Sequence, residues 1–138
     1  MPAKSGQVFS YDGRRIVDAT MYPDMQELLC AADMLITDYS SCMFDFALSG
    51  KPCLQFAVDI EAYRADRGFY FPLDSLPFPL ADSNEALRKQ ITGFDERAYR
   101  DAWQRFAEEQ GLCEDGKAAL RCAQWILNQT GRKTKEIE

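Results

Sequence analysis

The feature that most constrains this chain is the run Ala32-Asp33-Met34-Leu35-Ile36-Thr37-Asp38-Tyr39-Ser40-Ser41, together with the apolar segment directly after it. Met34 to Ile36 is a short apolar stretch of the kind a sheet buries. Thr-Asp-Tyr-Ser-Ser comes at once, then Cys42-Met43-Phe44-Asp45-Phe46-Ala47-Leu48, closing on Gly50. The second run spaces Phe44, Ala47 and Leu48 along one helical face, and Gly50 stands where a helix ends. The pattern predicts strand, tight polar turn, helix, with two serine hydroxyls at the helix start. At the carboxyl edge of an α/β sheet such a turn binds anions, because free backbone N–H groups and the positive helix end face outward. Ser40 and Ser41 equally suit a simpler task, capping the helix. Spacing alone leaves both open.

The flanking chain repeats the rhythm. Val8 to Tyr11 reads as a short strand or lead-in with Asp12-Gly13 as a turn, and Ile16 to Thr20 as a strand. Pro23 takes the first position of a helix with Met25, Leu28, Leu29 and Ala32 as its stripe. Lys51-Pro52 leads into the apolar run Cys53 to Val58. Strand and helix alternating in this way predict parallel βαβ units, with the loops after Thr20, Thr37 and Val58 at one sheet edge. From Ile60 to Pro79 regularity fails: Tyr63-Arg64-Ala65-Asp66-Arg67-Gly68-Phe69-Tyr70-Phe71 is aromatic and basic, with Pro72, Pro77 and Pro79 beyond. A long loop of this kind reads as a binding loop, or as one packed down by its own aromatic rings. Asp82-Ser83-Asn84-Glu85 resembles a capping box before a helix with Leu87, Ile91 and Phe94 on its stripe. Asp95 opens a further helix bearing Tyr99, Ala102, Trp103, Phe106 and Ala107, ended by Gly111. Glu114-Asp115-Gly116 starts the last, with Ala118, Cys122, Trp125 and Ile126. Both Trp-bearing helices are apolar enough on one side to need a packing partner, which makes Trp103 and Trp125 core anchors. Residues 1–130 read as one domain, and 131–138 as a charged tail.

Composition trims the list of functions. A chain of 138 residues, 46% of them hydrophobic, can bury a real core. No apolar run approaches the roughly 20 residues that span a bilayer, and residues 1–7 lack a signal peptide's apolar stretch, so a cytoplasmic location is expected. The net charge of −6 argues against a nucleic-acid groove, though a single nucleotide needs only a local pocket. Five cysteines without a CxxC read as free thiols, four of them within apolar runs or helical faces and so buried. There is no histidine, which removes the commonest general base.

A nucleotide diphosphate needs hydroxyls and amides at a helix start plus cations for the remaining charge. Ser40 and Ser41 offer the first; Arg64, Arg67 and Lys51 are candidates for the second. Asp38 would suit a ribose hydroxyl or orient an arginine, and Asp45 could bond the turn. Asp18, Asp38 and Asp59 converging on a divalent metal is a weaker alternative, since no compact Asp-x-Asp pair fixes the geometry.

The run MYPDMQELLCAADMLITDYSSCMFDFALSGKP, with RGFYF and PFP downstream and Gly111-x-x-Glu114-Asp115-Gly116 near the end, resembles the carboxyl-terminal domain of CDP-glycerol glycerophosphotransferases. These bacterial enzymes build teichoic-acid poly(glycerol phosphate) chains, and the similarity runs from about Val17 to about Ile126. The resemblance implies an α/β fold: a Rossmann-like parallel sheet with flanking helices, part of the carboxyl-terminal domain of a GT-B enzyme, closing with two helices. It implies that Asp38, Ser40 and Ser41 line the CDP-phosphate site, with Arg64, Arg67 and Gly68 beside it. No cofactor is implied beyond the nucleotide-activated donor, and a teichoic-acid or lipid-linked acceptor would approach from a domain outside this chain. Family members use histidines for transfer, one in a His-Pro turn; this chain has none, so a fragment or shortened relative without turnover is expected. Such a fragment would expose a sheet face prone to self-association, and its parent would sit at the inner face of the membrane. A GT-B glycosyltransferase using a nucleotide sugar and a non-catalytic assembly module are the alternative readings.

Overall fold

The computed structural model describes residues 16–131, and the expected lead-in over residues 8–13 lies outside them. The chain divides into two compact units between Ala32 and Asp33.

In the first unit the expected strand at Ile16 to Thr20 does not form. The Asp18 carboxylate accepts the Thr20 amide at 2.9 Å, and the Tyr22 amide bonds the Ala19 carbonyl at 2.9 Å. Backbone that a strand would offer to a ladder is thus turned in on itself. Helix α1 spans Met25–Ala31, and its N-cap is Asp24 rather than a turn begun by Pro23. Asp24 accepts from the amides of Gln26 and Glu27 at 2.8 and 3.3 Å, which satisfies two orphan donors of the first turn.

The second unit is built on a parallel sheet of three strands in the order β1-β2-β3. Strand β1 (Leu35–Thr37) pairs with β2 (Cys53–Phe56) from Leu35 opposite Cys53 to Thr37 opposite Gln55. Strand β3 (Leu80–Ala81) adds to the far side of β2. It directly follows the segment Ile60 to Pro79 expected to be irregular, at a place where no strand was expected. Pro79 is tolerated because the ladder asks only for its carbonyl, which accepts the Gln55 amide at 2.9 Å. Central β2 has Cys53, Leu54 and Gln55 all fully buried, as a strand covered on both faces must.

Helix α2 (Cys42–Ala47) follows β1 and ends at Gly50, whose φ of +72° is the left-handed conformation that favours glycine. Its buried side is Met43, Phe46 and Ala47; Leu48, expected inside, is 52% exposed. Leu48 falls at the C-cap, beyond the last helical turn, and the buried face is set by Met43 and Phe46 in place of Phe44 and Leu48. Helix α3 (Ile60–Asp66) occupies the segment expected to be irregular, followed by a 3-10 turn at Leu73–Ser75. Helix α4 (Asn84–Thr92) starts as predicted, with Ser83 Oγ accepting the Ala86 amide at 3.3 Å. Helix α5 (Glu96–Glu109) is capped by Asp95 and buries Tyr99 and Phe106. Helix α6 (Ala118–Thr130) closes the chain and buries none of its residues; Trp125, expected as a core anchor, is 64% exposed. The cysteines divide likewise: Cys53 is buried and Cys42 half-buried, whereas Cys30 and Cys122 are exposed because α1 and α6 have no buried side, and Cys113 is exposed in the segment between α5 and α6.

Candidate functional site

All three strands run in the same direction, so the turn after β1 and the segments after β2 and β3 leave the sheet at one edge. Asp38, Ser40 and Ser41 lie there, between β1 and α2. The turn is internally bonded. The Ser40 amide donates to Asp38 Oδ1 at 3.2 Å and the Cys42 amide to Ser40 Oγ at 3.4 Å. The amides of Met43 and Phe44 reach the carbonyls of Ser40 and Ser41 at 3.2 and 3.0 Å. Four amides expected to face an anion are therefore occupied. Ser41 stands at the N-cap of α2 in helical conformation and makes no side-chain cap bond. What the turn presents outward is hydroxyl and carboxylate.

The cations arrive on α3, Arg64 in its last turn and Arg67 at its C-cap. The Tyr39 ring stacks on Tyr63 with centroids 3.9 Å apart, and Tyr63 stacks on Phe69 at 5.3 Å. The guanidinium of Arg67 lies over the Tyr63 ring at 6.0 Å, and that of Arg64 over Phe69 at 5.9 Å. Arg64 pairs with Glu61 at 3.4 Å and Arg67 with Asp66 at 3.5 Å. Both pairs are exposed and weak, so an incoming phosphate can compete for either arginine. Gly68, with φ +69°, ends α3 in the left-handed conformation, its amide on the Arg64 carbonyl at 3.1 Å. The three-ring stack thus joins the serine turn to the arginine-bearing helix. The loop packs on its own aromatic rings while keeping its cations outward, so both readings of that segment hold in part.

Other candidates fall elsewhere. Lys51 precedes β2 and so sits at the opposite, amino-terminal edge. Asp45 lines a cleft of about 250 Å³ between α2 and α5, walled by Phe44, Phe71, Trp103 and Phe106. Asp59 borders a cavity of about 280 Å³ together with Glu61 and Asp82. Among the described residues no group of three or more His, Cys, Asp or Glu gathers to hold a metal. Asp18, Asp38 and Asp59 each accept a different donor: the Thr20 amide, the Ser40 amide and the Tyr39 hydroxyl.

Sequence reasoning missed Tyr39. Its hydroxyl donates to Asp59 Oδ1 at 2.9 Å, and burial first, then that carboxylate, pushes its pKa up to about 12. An aromatic residue inside an otherwise polar turn was the available signal.

The family model for CDP-Glycerol:Poly(glycerophosphate) glycerophosphotransferase matches residues 2–128. The chain belongs to this family. Among glycerophosphotransferase relatives, the teichoic acid glycerol-phosphate transferase of Staphylococcus aureus is 36% identical over 116 residues, covering 81% of this chain and 30% of its own length. The teichoic acid poly(glycerol phosphate) polymerase of Bacillus subtilis is 42% identical over 85 residues, or 60% of this chain and 11% of that protein. In structure, a histidine-to-asparagine variant of the wall teichoic acid polymerase TagF superposes with a TM-score of 0.59 at 30% identity, over 82% of this chain and 28% of TagF. The expected fold follows: α/β, with a parallel sheet and flanking helices, within the GT-B architecture. The chain spans less than a third of the length of each of these relatives.

Proposed function

We propose that this chain forms the donor-nucleotide part of a glycerophosphotransferase that uses CDP-glycerol to build teichoic acid or a related envelope polymer. The observation that carries the reading is the Tyr39–Tyr63–Phe69 stack, which links Asp38, Ser40 and Ser41 to the helix bearing Arg64 and Arg67. Because four amides of the turn are already bonded, the reading places phosphate recognition on side chains. The serine hydroxyls and the two arginines hold the diphosphate, Gly68 lets the chain turn beside them, and Asp38 accepts from a ribose hydroxyl. In the reaction an acceptor hydroxyl attacks the β-phosphorus of CDP-glycerol, a new P–O bond forms, and CMP leaves with the electron pair of the broken bond. These residues supply position and charge.

With no histidine in its sequence, this chain has no imidazole to take the acceptor's proton, and by itself it binds without turnover. The acceptor, a teichoic-acid or lipid-linked chain, and the acid–base groups come from outside it. No cofactor is needed beyond the donor. No described helix is long and apolar enough to cross a membrane. The reading puts the parent enzyme in the cytoplasm, held peripherally at the inner face of the membrane. Strand β1, at the sheet margin among the described residues and with Ile36 44% exposed, is where self-association would occur.

Calorimetric titration with CDP-glycerol, CMP and a UDP-sugar tests this, with preference for the cytidine ligands expected. Ser40→Ala with Ser41→Ala should weaken binding by about 1–3 kcal/mol and leave the fold intact. Unchanged affinity would return both serines to a local turn role. A UDP-sugar preference would favour a glycosyltransferase. One observation favours an assembly module instead: the exposed Trp125 face of α6, the reading to adopt if no nucleotide binds.

A further inference from the structure

Helix α3 is held in an unusual way. It has seven residues and buries none of them, so its own packing does little to fix it. Asp59 stands at its N-cap, where an aspartate ordinarily accepts from the helix's first amides, yet its side chain makes no cap bond. The carboxylate instead accepts the Tyr39 hydroxyl from across the sheet edge at 2.9 Å. The Asp59 carbonyl takes the Tyr63 amide at 2.9 Å, and the Tyr63 ring receives that of Tyr39. One residue of the β1–α2 turn thus grips α3 at two points, its N-cap and its mid-helix ring. A local rule is set aside where the helix could have capped itself, and such departures gather at functional positions.

We propose that Tyr39 is a positioning residue: through its stack on Tyr63 and its bond to Asp59 it holds α3 so that Arg64 and Arg67 face the Asp38–Ser41 turn. This rests on the donor-site reading above and assigns that site's geometry to a side chain which itself touches no phosphate. Both arginines lie on rings of the stack, so a shift of Tyr63 or Phe69 carries the cations with it. Free of the clamp, α3 would drift, and the entropy of ordering two long side chains would fall on the ligand.

The test uses the full chain with two variants, Tyr39→Leu and Tyr39→Phe, titrated with CDP-glycerol, CMP and cytidine. Tyr39→Leu should weaken CDP-glycerol and CMP by about tenfold, and cytidine by less than about threefold. Tyr39→Phe, which keeps the stack and loses only the hydroxyl, should recover most of that loss. Tyr39→Leu combined with Arg67→Ala should bind little worse than Arg67→Ala alone, the non-additivity expected when one residue acts through another. Equal losses for all three ligands, or additive losses in the double variant, overturn the proposal. Amide exchange across Ile60–Asp66 gives a readout that needs no ligand. It should accelerate in Tyr39→Leu, and more weakly in Tyr39→Phe, while β2 is unchanged. If the wild-type chain binds no nucleotide, the donor-site reading fails on its own account. Unchanged α3 exchange in Tyr39→Phe would then sink the clamp independently, even where Tyr39→Leu does not fold.

Discussion

Helices α5 and α6 look alike as sequence and behave differently as structure. Each carries a tryptophan on an apolar stripe and each is over a dozen residues long. In α5 the stripe meets a partner: Phe106 stacks on Phe44 at 5.9 Å and meets Phe71 edge-on at 5.8 Å, while Trp103 contacts Phe78 at 6.0 Å. In α6 Leu120, Trp125 and Ile126 are all more than half exposed, and its first turn is tied by polar groups, Arg121 reaching Asp115 and, at 2.7 Å, the Cys113 carbonyl. Periodicity tells a helix that it has an apolar side. It does not say that the rest of the same chain supplies something to cover it.

The largest expected effect tests that contrast directly. Phe106→Ala should cost about 3–5 kcal/mol in urea unfolding, since it empties the middle of an aromatic cluster. Trp125→Ala should change stability by less than about 0.5 kcal/mol, as for an exposed surface position. Similar losses at the two sites would break the comparison.

A second difference lies in the tyrosines. Tyr99 of α5 is 4% exposed, and its hydroxyl, buried beside the Cys53 backbone, makes no well-formed hydrogen bond. Removing it in Tyr99→Phe should stabilise the chain by about 1 kcal/mol, because a buried unpaired hydroxyl is costly. Burial also raises the Tyr99 pKa above the ordinary tyrosine value, as it does for Tyr39. A raised folded pKa means stability is fully present below about pH 10 and is lost as pH climbs through the folded value. Alkaline unfolding should follow that course and be shallower in Tyr99→Phe, with Trp125→Ala leaving the curve unchanged.

The caps differ as well. Asp95 accepts the Ala98 amide at 2.9 Å, whereas Lys117 at the start of α6 makes no side-chain cap bond. Asp95→Ala should cost about 1 kcal/mol and Lys117→Ala almost nothing, measured by thermal melting. The smallest effect belongs to Asp115, whose carboxyl is held below the usual range first by Arg121 and then by the Lys117 amide. Its contribution is present above the ordinary carboxylate pKa and lost as pH falls through the lowered one. Asp115→Asn should remove that slight acid-side dependence from the helical circular dichroism.

Local chemistry was legible in the sequence wherever it was self-contained. Gly50 and Gly111 end their helices at positive φ, and Ser83 and Asp95 cap theirs, because each signal acts within about four residues. The strand at Ile16 to Thr20 failed for the same reason in reverse: Asp18 bonds its own neighbourhood, a competitor that an apolar pattern does not reveal. Strand β3 was missed because two residues beside prolines carry almost no periodic signal, and only pairing with β2 makes them a strand. In the candidate site, Asp38, Ser40, Ser41, Arg64, Arg67 and Gly68 could each be named from residue type and resemblance. Tyr39 offered only the oddity of a ring in a polar turn, since its partners Asp59 and Tyr63 lie on a distant segment of the chain.

By itself the sequence determined the family, the strand–turn–helix at residues 35–47 and the polar groups that turn displays, all matters of short spacing along one backbone. Tertiary structure alone decided that the turn's amides are already bonded, that a ring from that turn stacks on α3, and that α5 is covered where α6 is not. Those outcomes depend on which surfaces meet after the chain has crossed the sheet, and contact between residues far apart in sequence is set by packing.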